Sequence, residues 1–245
     1  MHKHLSYLLV LFYSLLGTAV LVTAISLTAN PWQQKSAYHS PHAKRSLALI
    51  AQAEAYARSG NYSNALPLYE KAISALSDYP SQQQALRYRY GIVLNAFSAQ
   101  MRPDLYPLAR AQFQSVLNYL DSGADLPQSV ARVQSAMAHT YHQQAATEKE
   151  SVQQAHLLRS AYLLYKGAID GLNEQGEWQN LAITYFNLGQ VCEWQGNLEE
   201  AIAWLEKTVQ LDLRHKLPDL QEDSDYLASL RGQVEPILQN PETAL

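Results

Sequence analysis

The chain has 245 residues, 47% of them hydrophobic and only 16% charged, and its formal net charge is −4. That balance provides no basic footprint for nucleic acid. A single cysteine, Cys192, cannot form an internal disulfide and fits either redox compartment.

Residues 5–29 contain no charged side chain. A helix needs ~20 mostly apolar residues to cross a bilayer, so residues 1–29 are expected to form one transmembrane anchor. The hydroxyls in the run can bond back to the helix's own carbonyls, and Trp32 stands where an interfacial aromatic would. The competing reading is an export signal cleaved near Leu27–Ala29, with Lys3 in its n-region. Such signals have apolar cores of ~7–15 residues, shorter than this run. Lys3 on one side and Lys35, Lys44 and Arg45 on the other nearly balance the positive-inside bias. The expected placement is a single-pass protein of a bacterial inner membrane, with the remainder on the extracytoplasmic side. Residues 30–42 read as a short polar linker.

From residue 43 to residue 239 the pattern turns helical and repetitive. Ala65, Tyr69 and Ala72 form an i, i+4, i+7 stripe, and so do Ala109, Phe113 and Val116. Ala161, Tyr165 and Ala168 repeat it, as do Ala201, Leu205 and Thr208. Each stripe follows another helix with its own small residue: Ala53, Gly91, Ala138 and Gly189 in turn. Paired small residues let helix axes approach to the short end of roughly 8–10 Å. The aromatic of the second helix is expected to fill the gap toward the next pair. Gly60 and Gly196 stand where helices end, and Pro80 and Pro127 where new ones begin. Longer turns are expected at Met101–Asp104 and Thr147–Ser151, and a loop from Arg214 to Ser224. A last helix opening at Asp225 would cap the exposed end, with Pro236 ending it and residues 240–245 as a polar tail.

The first and last repeats carry a specific likeness. Leu49, Ala53, Tyr56, Gly60, Tyr62, Ala65, Tyr69 and Ala72 fall in one register, and Tyr185, Leu188, Gly189, Cys192, Gly196, Leu198, Ala201 and Leu205 in another. Both resemble the tetratricopeptide repeat, whose pattern runs W-x2-L-G-x2-Y, a glycine turn, then A-x3-F. The middle repeats keep Tyr90, Gly91 and Leu94, then Met137, Ala138 and Tyr141. The starting alanines lie about 40 to 52 residues apart, against roughly 34 for the family. The resemblance implies an all-α fold: an α-solenoid of about four helical hairpins plus the capping helix, preceded by the transmembrane helix.

The resemblance also implies where partners bind. In this family the first helices of the hairpins line a concave groove. By register the groove residues here are Ile50 and Glu54; Tyr88, Ile92 and Asn95; Ser135, His139 and His142; and Phe186, Gln190 and Glu193. Tyr88, Ile92 and Phe186 are large apolar groups on a face expected to see water, and apolar anchors amid polar neighbours mark recognition surfaces. The alternative is that the array curls and these side chains pack on one another or on the capping helix. Some family members clamp a partner's terminal carboxylate with Lys, Arg and Asn. Ile50 and Glu54 stand where that set would be needed, so no acidic peptide terminus of the heat-shock-chaperone kind is expected.

No chemistry is expected. His139 and His142 are three apart on a helix and share a face. With His156 they could approach a metal set, but zinc takes three or four ligands at defined spacing. They read as solvated groove residues, and His39 and His42 as linker residues. Cys192 fills the repeat's tyrosine slot and reads as a small buried apolar group. No metal, cofactor, catalytic residue or small-molecule substrate is expected, and the chain reads as a non-enzyme. The functional expectation is a membrane-anchored scaffold that binds protein partners, themselves membrane-associated, through its concave groove in the assembly or stabilisation of a membrane-associated complex, while residues 5–29 contact the lipid bilayer. The alternatives are a fixed structural subunit of a larger membrane complex, or a soluble exported repeat protein after signal cleavage.

Overall fold

The computed structural model describes residues 41–239, with side chains from 45 to 233. The expected anchor at 1–29, nearly all of the 30–42 linker and the 240–245 tail lie outside the described residues. Among the described residues every regular element is helical, and no helix is long and apolar enough to cross a membrane. The helices are α1 (Pro41–Arg58), α2 (Tyr62–Ala75), α3 (Pro80–Gln100), α4 (Tyr106–Asp121), α5 (Val130–Thr147), α6 (Ser151–Glu174), α7 (Trp178–Trp194), α8 (Leu198–His215) and α9 (Leu220–Gln239). They fall into two compact units, one ending at Pro127 and one beginning at Gln128.

In the first unit α1 pairs with α2, α3 pairs with α4, and α2 packs on α3. Ala53, Ala65 and Ala109 are fully buried at the seams. Gly91 shows why its seam takes no side chain. A Cβ there would stand 2.8 Å from the Phe113 ring. Phe113 therefore fills the seam of its own hairpin rather than the gap to the next. Tyr69 does reach the next hairpin, stacking on Tyr90 with ring centroids 5.4 Å apart. The hydroxyl of Tyr90 donates to Glu70 Oε1 at 2.9 Å, so its burial leaves no orphan donor. The α1–α2 turn closes as expected. Gly60 adopts φ +73°, while the N–H groups of Gly60 and Asn61 bond back to Ala57 and Tyr56. This is the paired hydrogen bonding of a left-handed helix stop.

The second unit repeats the scheme: α5 with α6, α7 with α8, and α9 packed on α8. Ala138, Ala161 and Ala201 are fully buried. A Cβ at Gly189 would meet Leu205 Cγ at 2.8 Å and the Ala201 carbonyl oxygen at 3.3 Å, so this seam closes on backbone as well as side chain. Two hydrogen-bonding side chains cap the helix starts: Ser129 accepts from the Arg132 N–H at 3.0 Å, and Asn197 from the Glu200 N–H.

The excess length over the family's repeat goes mainly into helix. α3 runs for 21 residues and α6 for 24. The turn after Thr147 is short, and the one after Gln100 contains a single 3-10 turn at Pro103–Leu105. The expected loop from Arg214 to Ser224 is a correction. α8 continues to His215, stops at Lys216 in the left-handed region (φ 54°), and α9 begins at Leu220. Glu222 and Asp223 occupy the first turn of α9, where acids favour the helix dipole. Their polarity gives them the look of a loop. α9 also runs through Pro236 instead of ending there.

Candidate functional site

The first helices of the hairpins, α1, α3, α5 and α7, carry the candidate groove residues. On α1, Ile50 is 3% exposed and belongs to the core. Glu54, half-buried, forms ion pairs with Arg89 of α3 and with Arg58 of its own helix. On α3, Tyr88, Ile92 and Asn95 are all buried. Tyr88 meets the Phe113 ring edge-on at 5.8 Å. The expectation of a water-facing Tyr88 and Ile92 is corrected by the composition of α3 itself. Every residue from Tyr90 to Ser98 is buried, as a helical stretch that is mostly apolar around its girth should be.

In the second unit α5 and α7 run side by side and are joined at their starts. Glu177, the residue before α7, accepts from Arg132 Nε at 2.7 Å, Ser129 Oγ at 2.9 Å and Asn180 Nδ2 at 2.7 Å. One turn on, Ser135 and Thr184 share a hydroxyl hydrogen bond of 2.8 Å. Deeper, His139 and His142 are buried rather than solvated, a second correction. His139 Nδ1 lies 3.3 Å from the Tyr165 hydroxyl, and the His142 ring meets the Trp194 ring at 4.7 Å. Burial pushes His139 down to about 4, and burial with the neighbouring His139 pushes His142 down to about 3. Both are neutral imidazoles at physiological pH. Among the described residues, no three His, Cys, Asp or Glu side chains converge on a point that could hold a metal.

Along the second half of α7, Phe186 and Glu193 are half-buried and Gln190 is buried. The capping helix accounts for this. Tyr226 of α9 lays its ring on Phe186 at 5.3 Å and donates its hydroxyl to Glu193. Desolvation raises the Glu193 carboxyl, and the Tyr226 hydrogen bond partly offsets it. Cys192 is fully buried, and burial pushes its thiol up to about 12. A thiol held so far from its thiolate is no nucleophile.

Of the eleven candidate residues, only Glu54, Ser135, Phe186 and Glu193 keep partial exposure. Arg89, Arg132 and Tyr226, which pair with or neighbour them, were not identified from sequence. Their signal is weak, since each contact joins helices distant in the chain.

Models of the tetratricopeptide repeat match residues 48–83 and 182–215. The first covers most of α1, all of α2 and the start of α3; the second covers most of α7 and all of α8. Comparison with curated proteins finds no match. Each unit thus holds one stretch similar to the tetratricopeptide repeat, on an all-helical framework of small-residue hairpins.

Proposed function

We propose that this chain is a membrane-anchored scaffold that holds protein partners on the first-helix faces of its repeats. One observation carries the reading: each unit contains a matched tetratricopeptide repeat, and repeats of this kind suggest protein–protein interaction. The partly exposed groups Glu54, Ser135, Phe186 and Glu193 are the proposed points of contact. The charge-free run at 5–29 is the proposed anchor. Confinement to a bilayer raises the effective concentration of any partner in the same membrane, so modest contacts suffice. The chain acts by binding rather than by catalysis, at the extracytoplasmic face of the membrane.

The test places a photo-crosslinking residue at Glu54 and at Phe186 of the full-length chain in native membranes. The expected outcome is discrete, reproducible adducts with membrane proteins, together with a mature mass that includes residues 1–29. A mass lacking that segment would replace the anchored scaffold with an exported soluble protein. The absence of adducts at both positions would remove the binding face.

A further inference from the structure

The first turn of α9 meets α8 through two carboxylic acids. Asp212 of α8 is 0% exposed, and neither of its carboxylate oxygens has a hydrogen-bond donor. The carboxyl of Asp223, itself 8% exposed, lies within hydrogen-bonding reach of it. Two carboxylates facing each other out of water cannot both remain ionised, and a proton between them supplies the missing donor.

Among the described residues, no cation acts on the pair strongly enough to offset its charge. Asp219 from the connection and Glu222 from α9 add negative charge. α7 contains no Lys, Arg or His; its titratable side chains are Tyr185, Cys192 and Glu193, and Glu193 is bound to Tyr226. Of the cations at the end of α8, Arg214 and Lys216 are exposed and His215 stacks on Trp178. Burial is the first cause that pushes both acids above the usual carboxylate range, Asp223 furthest. No third ligand makes the pair a metal site among the described residues.

The position of the pair gives it leverage. Tyr226, one turn beyond Asp223, is the residue that covers Phe186 and Glu193, and Leu227 and Leu230 complete the buried face of α9. We propose that Asp212 and Asp223 share a proton that latches α9 onto α8, and that loss of this proton frees the start of α9 and uncovers Phe186 and Glu193. The latch is independent of the scaffold reading, since it is a property of the chain without any partner.

The sign follows from linkage. An acid whose folded-state value is raised contributes stability that is fully present below its unfolded value, about 4, and is lost as pH rises toward the folded value. Docking of α9 therefore weakens from mildly acidic to alkaline pH. The experiment is hydrogen exchange of the full-length chain, with the protection of residues 220–239 corrected for the intrinsic pH dependence of exchange. Wild-type protection should fall at least about tenfold between about pH 5.5 and about pH 8.5. Asp223→Asn, whose amide donates to Asp212 at any pH, should hold its protection across the range. If that variant does not fold, Asp212→Asn carries the same expectation. EDTA and added calcium should change nothing. A flat wild-type profile, a variant that keeps the wild-type slope, or protection that depends on calcium would each overturn the latch.

Discussion

The tightest points of both units are places where a side chain is missing. Gly91 and Gly189 sit where any Cβ would stand 2.8 Å from the Phe113 ring or from Leu205 Cγ. At Gly189 the Ala201 carbonyl at 3.3 Å leaves the backbone no room to recede. Gly189→Ala gains about 1 kcal/mol of helix propensity, but overpacking a fully buried seam costs about 1–3 kcal/mol. The expected outcome is a net loss of about 1 kcal/mol, read as a lower urea midpoint with an unchanged slope. Gly167, in α6, has nothing within 4 Å of its would-be Cβ. Gly167→Ala should raise the stability by about 0.5–1 kcal/mol, read as a higher midpoint. A Gly189→Ala protein as stable as Gly167→Ala would show that the α7–α8 seam is loose. These small residues were legible in the sequence because their spacing repeats four times. The burial of His139 and His142 was not, because Tyr165 and Trp194, the rings around them, come from other helices.

At the scale of the helix, the buried histidines make α5 the acid-sensitive element of the second unit. Their folded-state values are pushed down, to about 4 and about 3, from an unfolded value near 6.5. A base depressed in this way contributes stability that is complete above the unfolded value and is lost as pH falls from there toward the folded values. The melting temperature should therefore drop between about pH 7 and about pH 5, and a His139→Asn, His142→Gln double variant should show a much smaller drop. Equal drops in both proteins would assign the acid sensitivity to other groups. This dependence runs opposite to that of the Asp212–Asp223 pair and acts on a different helix, so exchange resolved by helix separates them. Element boundaries show where sequence patterns mislead. The acids of residues 222–223 look like loop, yet they start α9, because the N-terminal dipole accepts negative charge. The face of α3 looked open by register, yet its stretch from Tyr90 to Ser98 is mostly apolar around the helix and buried throughout. Register locates a residue on a helix; it does not reveal what lies on the far side.

For the whole molecule, the decisive division runs between the repeats and the charge-free run before them. The helices described here carry their own cores. Ile50, Tyr69, Tyr90 and Leu94 serve the first unit, and Tyr165, Leu188 and Leu205 the second. Each hairpin shares its stability with its nearest neighbours rather than with a distant segment. A chain lacking residues 1–29 should therefore keep its helical circular dichroism, melt cooperatively and stay in solution, while losing the crosslinked partners of the full-length protein. Loss of recruitment with the fold intact would assign residues 1–29 to membrane attachment, because attachment acts through local concentration and leaves the proposed contacts at Glu54 and Phe186 unchanged. Retained recruitment would mean the faces around Glu54 and Phe186 bind tightly enough without a membrane. Aggregation or a broadened melt would mean that the run packs on the repeats as part of their core, and the separation into anchor and scaffold would fail.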